Sequence, residues 1–199
     1  ALVEKGYKIR VGAHSWDHAN KPNVKRLDRS SLLYSINALE TKVAGPLGGG
    51  IYLEVPFLAN AGVVNVQIKN AARSPFFSAK SFHTTTPTQW LTERTNPAPW
   101  ADFQSDKFMM QVPTSWISSM PDPTQLMADW DTAMDAVNDL MGFPRIRGKE
   151  SCYTQVDQQI RASVFAPGYP SINVGGFSAT ASYGGYASHY LVRGPQYGV

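Results

Sequence analysis

The stretch VGAHSWDHANK carries His14 and His18 four residues apart, the spacing at which a helix sets two imidazoles over one metal ion. A zinc helix of the H-E-x-x-H type also needs a glutamate directly after the first histidine, acting as general base. Ser15 holds that place here. The stretch also rises out of strand-like sequence and runs into HANKPN, which is turn chemistry. On a strand or loop a spacing of four does not by itself bring two side chains to one ion. The pair therefore reads as histidines held by local hydrogen bonds. His83 in SFHTTTPT and His189 in YASHYLV have no carboxylate or histidine close in sequence. A Ser/His/Asp arrangement assembled in space stays open, although no G-x-S-x-G elbow nominates a serine. Cys152, the single cysteine, lies in strand-like ESCYTQ and is expected to be a buried structural thiol. GPLGGG at 45–50 is not a phosphate loop, because neither G-K-[ST] nor a helix start follows it.

Aromatic residues offer a different chemistry. Trp90, Trp100 and Trp116 each follow a proline within a loop-like stretch, and Tyr169, Tyr183, Tyr186, Tyr190 and Tyr197 crowd the last quarter. Rings presented by loops on a β scaffold can hold sugar rings, while the plainer expectation is loop packing onto the core. Asp131, Asp135 and Asp139 form an acidic stripe along one helix face. A cation site and a solvated face both fit that stripe, and the solvated face is the expectation.

The elements that must position these residues change character along the chain. YKIRVGAH, GGGIYLEVP and GVVNVQIKN alternate apolar and polar residues with period two. That pattern predicts strands of a half-exposed antiparallel sheet, so residues 1–112 read as β-rich. DPTQLMADWDTAMDAVNDLMGFP then predicts a helix over about 123–141. Asp122 is its expected N-cap and Pro123 its first residue, while Gly142 and Pro144 close the far end. Leu126, Met127, Trp130, Met134, Val137, Leu140 and Met141 fall on one face, which places Trp130 in the core. Residues 150–199 read as strands and loops, ending in a Gly-, Ser- and Tyr-rich tail. The predicted class is α+β: a β-rich N-terminal half with an antiparallel sheet, one long amphipathic helix, then further strands. No Pro-rich linker divides the 199 residues, which read as a portion of one domain.

Composition narrows the classes. With 18 basic and 15 acidic residues the net charge is only +3, and the cluster Lys21, Lys25, Arg26, Arg29 lacks interleaved aromatics. It reads as a solvated loop, not a nucleic-acid surface. No run approaches the ~18 apolar residues of a membrane helix. A lone cysteine excludes a disulfide framework within the chain. The chain starts at Ala1 without a leader, so the expectation is a removed signal peptide or a piece of something longer.

Taken in order, six segments resemble a known family. They are VGAHSWDH with the basic VKRLDRSS; GPLGGGIYLEVP; VVNVQIKNAARSPFF; PTQWLTERTNPAPWADFQSDKFMMQVPTSWI; DPTQLMADWDTAMDAVNDLMG; and YTQVDQQIRASVFAPGYP. Together they are similar to the enhancin-type zinc metallopeptidases, the M-sixty peptidase family that includes mucin-degrading bacterial enzymes and secreted immunomodulating metallopeptidases. The resemblance implies a gluzincin-like catalytic domain that hydrolyses peptide bonds with a zinc-activated water, in several members next to an O-glycosylated Ser or Thr. It implies O-glycosylated protein substrates and a secreted or cell-surface location in a bacterium. The family's H-E-x-x-H follows the G-Y-P loop by a few dozen residues, and this chain stops at LVRGPQYGV without it. No catalytic residue and no zinc ligand therefore carries over; both are expected beyond Val199, and the chain alone is expected to be inactive. The resemblance leaves a cleft wall as its contribution, with Gly168, Tyr169, Pro170, Tyr186 and Tyr197 as the substrate-binding candidates. Its expected partner is the remainder of its own catalytic domain. A non-catalytic β-rich carbohydrate- or protein-binding module is the alternative.

Overall fold

A computed structural model of the chain describes residues 2–12, 31–46, 48–148, 151–157, 165–166, 171–174, 191–192 and 194–195. The chain divides into two compact units. One holds Ala1–Ala71 with Gln159–Arg161, the other Ala72–Gln158 with Ala162–Val199. The sequence reads as one domain because the division between Ala71 and Ala72 carries no linker composition.

The first unit is a three-stranded antiparallel sheet. β1 (Lys8–Gly12) lies between β2 (Ser31–Ser35) and β3 (Ile51–Glu54). Alternation sorts its faces. Ile9 and Val11 pair with Tyr34, Leu53, Leu32 and Ile51 on the apolar face. On the other, Arg10 pairs with Glu54 and donates from Nη1 to Ser31 Oγ at 2.7 Å. The Tyr34 hydroxyl donates to the Ala44 carbonyl at 2.6 Å, which draws the following loop onto the apolar face. Gly45 is required there, since a Cβ would stand 2.8 Å from the Val11 side chain.

The alternation in GVVNVQIKN predicts a strand over 62–70, and the structure has none there. Val63 is fully exposed and Val66 and Ile68 more than half so. Periodicity reports that a segment has two faces, but a strand also needs a neighbour for its backbone N–H and C=O groups. Neither sheet gives this segment a place.

The second unit is built on a seven-stranded mixed sheet in the order β5-β4-β6-β7-β8-β10-β9. Its strands are β4 (Phe76–Lys80), β5 (His83–Thr84), β6 (Trp100–Gln104), β7 (Phe108–Pro113), β8 (Cys152–Asp157), β9 (Phe165–Ala166) and β10 (Ser171–Val174). Hairpins make β4–β5, β6–β7 and β9–β10 antiparallel, whereas β4–β6, β7–β8 and β8–β10 run parallel. Two helices join these strands, and both cover the same sheet face. Phe77, Phe103 and Met110 are register partners and so share that face, with Phe108 one repeat along. Trp90 of α1 (Pro87–Glu93) packs between Phe77 and Phe103, at 5.8 and 5.3 Å between ring centroids. Trp130 of α2 (Thr124–Met141) stacks on Phe108 at 4.2 Å, in the core where its place in the apolar stripe puts it.

α1 interrupts a stretch whose sequence reads as strands and loops. Its start is a capping box in which Thr86 Oγ1 accepts from Gln89 N–H while Gln89 Oε1 accepts from Thr86 N–H. α2 begins one residue later than its sequence predicts. Pro123 takes the cap position, and the Asp122 carboxylate accepts from both the backbone N–H and the hydroxyl of Thr124. Gly142 ends the helix with φ of 71°, a left-handed turn that glycine adopts without steric cost.

Candidate functional site

The sheet face turned away from the two helices carries polar side chains on four adjacent strands. Register sets Ser78 beside Gln104, Asp102 beside Gln111, and Gln111 beside Gln155. Gln104 Nε2 donates to Ser78 Oγ at 3.1 Å, and that hydroxyl donates to the His83 carbonyl at 2.7 Å. Gln111 Nε2 donates to Asp102 Oδ1 at 2.9 Å, and Gln155 Nε2 to the Tyr153 hydroxyl at 2.7 Å. Ser78 and Gln111 are wholly buried and Tyr153 nearly so. A buried polar row of this kind is stable only when its members are hydrogen-bonded, and then it holds one register against all others. Its amides and hydroxyls and the Asp102 carboxylate can orient amide or hydroxyl groups. The signal for this row is present in FFSAK, WADFQ and CYTQVD, where polar residues recur at every second position, and in the lone Gln111 of FMMQVP. Read locally, that pattern means a solvated face; the tertiary fold buries Ser78, Gln111 and Tyr153 and leaves Asp102, Gln104 and Gln155 half-buried.

The other candidates sort as follows. Trp90 and Trp100 are buried and Trp116 half-buried, so the first two serve the core and offer no platform to a sugar. The Trp90 indole N–H donates to the Met120 carbonyl at 2.9 Å, as does Arg94. His83 is exposed at the turn end of β5, opposite Lys80. Cys152 is exposed at the start of β8, in contrast to the buried residue that its strand-like context predicts. Alternation could not decide which side of an outer turn of strand would be covered. Partial burial nonetheless raises its thiol above the usual value, so it is held protonated. The acidic stripe of α2 is solvated at Asp139, while Asp131 and Asp135 are half-buried and engaged by the β6–β7 turn. Asp131 accepts from Ser105 Oγ at 2.6 Å and from Lys107 N–H at 3.1 Å. Asp135 pairs with Lys107 Nζ at 2.5 Å and Asp139 with Arg145 through both oxygens. The stripe clamps the β6–β7 turn and the segment after the helix. His14, His18, Gly168, Tyr169, Pro170, Tyr186, His189 and Tyr197 lie outside the described residues. The segment 167–170 falls between β9 and β10, the antiparallel pair at one edge of the large sheet.

Among the described residues no three His, Cys, Asp or Glu side chains come together as a metal site. No helix among them is long and apolar enough to cross a membrane.

This α+β fold is similar to that of solved metallopeptidases. A metallopeptidase from Bacteroides thetaiotaomicron aligns over 84% of this chain and 31% of its own, with a TM-score of 0.55 at 11% identity. The catalytic module of the metalloprotease ZmpA from Clostridium perfringens aligns over 86% of this chain and 39% of its own, at 0.51 and 13%. In sequence, residues 1–69 match the N-terminal domain of M-sixty-like peptidases, and residues 70–185 match Peptidase M60, enhancin and enhancin-like. The chain belongs to this enhancin-like peptidase family. Among curated proteins it is 27% identical over 171 residues to a TRPM8 channel-associated factor homolog of Xenopus laevis, covering 85% of this chain. It is 32% identical over 148 residues to TRPM8 channel-associated factor 1 of Bos taurus, covering 72%. The chain spans 18% and 15% of the length of those two relatives.

Proposed function

We propose that this chain is part of a secreted or cell-surface zinc metallopeptidase that hydrolyses peptide bonds in O-glycosylated proteins. The observation that carries this reading is the tandem family match, an N-terminal domain followed directly by the peptidase segment, on a scaffold shared with metallopeptidases. In this reading residues 1–199 supply scaffold and part of a cleft wall. Zinc, which would supply the hydrolytic chemistry, is held by ligands outside the described residues. Gly168, Tyr169, Pro170, Tyr186 and Tyr197 are the proposed contacts to glycopeptide.

The test is metal analysis with a cleavage assay on O-glycosylated mucin, using the whole protein encoded by the reading frame that contains these residues. The expected result is stoichiometric zinc and cleavage abolished by a chelator, with Tyr169→Ala weakening glycopeptide affinity. If Tyr169→Ala changes neither affinity nor cleavage, the cleft-wall role is wrong. A second reading, a non-catalytic module for protein association, is favoured by the naming of the curated relatives for association with a channel. It predicts a metal-free protein that binds glycoprotein without cutting it.

A further inference from the structure

One edge of the three-stranded sheet is open, and its backbone groups can be named. Gly12 N–H donates to the Gly50 carbonyl at 2.9 Å, and the two residues lie opposite each other in the continued register of β1 and β3. Antiparallel strands exchange both bonds at alternate pairs, so Gly50, Tyr52 and Glu54 turn their backbone groups toward β1. Ile51 and Leu53, with Val55 next in the alternation, turn theirs the other way. Among the described residues no strand lies on that side. The side chains of the same three residues are exposed, at 37%, 42% and 58%.

The chain reverses direction just beyond β3. Ala59 N–H donates to the Pro56 carbonyl at 2.9 Å, closing a turn in which Leu58 takes the left-handed φ of 62°. The Asn60 side chain then accepts from Gly62 N–H at 2.9 Å. Val63–Lys69 follows, bounded by two further left-handed residues, Gly62 and Asn70, with none between them. This is the stretch whose alternation predicts a strand. Among the described residues no hydrogen bond reaches its backbone, and Val66 and Ile68 are more than half exposed. An open strand edge and an unpaired, strand-patterned segment thus stand in one compact unit, joined by a turn.

We propose that Val63–Lys69 is a strap that closes on β3 as a fourth antiparallel strand. The register with three apolar pairs sets Val64 opposite Val55, Val66 opposite Leu53 and Ile68 opposite Ile51. Asn65 and Gln67 then fall opposite Glu54 and Tyr52. Apolar side chains meet on the face that carries Ile9 and Val11, and polar ones on the face of Arg10. The backbone groups of Val64, Val66 and Ile68 meet those that Val55, Leu53 and Ile51 leave open. A slip of one residue would set apolar opposite polar throughout. Closure also shortens the free chain that leads into the second unit. The Arg73 carbonyl is already held there by Ala98 N–H at 3.1 Å, so only Asn70, Ala71 and Ala72 would stay unpinned. The strap is independent of the proposed function, and its test does not involve catalysis.

The experiment is deuterium exchange of the whole encoded protein, read amide by amide and corrected for intrinsic rates. The amides of Val64, Val66 and Ile68 are expected to exchange about tenfold or more slowly than those of Asn65 and Gln67, which a closed strap turns outward. Equal exchange along Val63–Lys69 overturns the proposal. The partner is identified by oxidising Tyr52→Cys with Gln67→Cys, which lie opposite each other on one face in the closed register. Their disulfide is expected within one monomer, while Tyr52→Cys with Val66→Cys, on opposite faces, should give little. Equal yields from the two pairs overturn the proposal. So does protection that appears only as protein concentration rises, because a second copy would then be the partner. Should the cysteine variants not fold, Val66→Pro deletes the central N–H of the pairing. Trypsin should then cut after Lys69 about tenfold faster than in the unmodified protein, and an unchanged rate overturns the strap. Zinc content and mucin cleavage enter none of these readings, so the proposed function stands or falls separately.

Discussion

The carboxylate of Asp131 accepts from the hydroxyl of buried Ser105 and from the backbone N–H of Lys107, and so ties α2 to the turn that joins β6 and β7. Removing it leaves the Lys107 N–H without this acceptor and the buried Ser105 hydroxyl with only the Phe108 carbonyl at 3.2 Å. Asp131→Ala is expected to cost about 1–3 kcal/mol in urea unfolding. Asp129→Ala, whose carboxylate meets only the Gln125 amide among the described residues, should stay within about 0.5 kcal/mol. Equal effects of the two would show that the clamp contributes nothing. Lys80 makes a prediction in pH. Burial first, then repulsion by Arg147, lowers its pKa below the usual 10.5, against the opposing pull of Asp106. The folded chain therefore releases this proton before the unfolded chain does. Stability should rise with pH in the window between the lowered value and 10.5, because the unfolded state there binds more protons. Lys80→Met should abolish this rise and increase the Tm at neutral pH; a pH profile unchanged by the substitution would refute the assignment.

At the scale of elements, α1 and α2 differ in how openly the sequence declares them. Seven apolar positions at three-and-four spacing, with a glycine just beyond, make α2 readable before any contact is known. α1 has seven residues and only one of them, Trp90, is buried, so its periodicity is too short to register. Its clearest mark is the capping box around Thr86. Thr86→Ala is expected to cost about 1 kcal/mol, seen as a lower urea midpoint with unchanged m-value. Thr86→Ser, which keeps the oxygen, should restore most of it. The segment 62–70 is the opposite case, with strand periodicity and no strand. Its alternation describes the side chains, whereas pairing depends on a neighbouring backbone.

For the whole molecule, the two compact units have unequal cores. Among the described residues the first buries only Tyr7 and Val11 as apolar side chains, while the second buries Phe77, Trp90, Phe103, Met110, Val112 and Ile117 completely or nearly so, with others around them. Burial of each large apolar side chain contributes about 1.5–3 kcal/mol, so local opening should be easiest in the first unit. Backbone amides of β1–β3 are expected to exchange deuterium well before those of β6 and β7. Uniform protection across both sheets would contradict this. Family membership belongs to this scale too. It was legible because six short segments occur in one order along the chain, although none of them alone is specific.

What the sequence determined by itself was the α+β class, the α2 helix, the strands β1, β3 and β8, and the family, since each depends on local periodicity or on order along the chain. Only the tertiary structure decided that the aspartates of α2 clamp a turn, that Cys152 is exposed, and that the chain divides between Ala71 and Ala72. It also decided that the row of Ser78, Asp102, Gln104, Gln111 and Gln155 is turned into a largely covered sheet face. The physical reason is the same in each case. Alternation and helical spacing specify which side chains share a face, while what that face meets depends on residues tens of positions away.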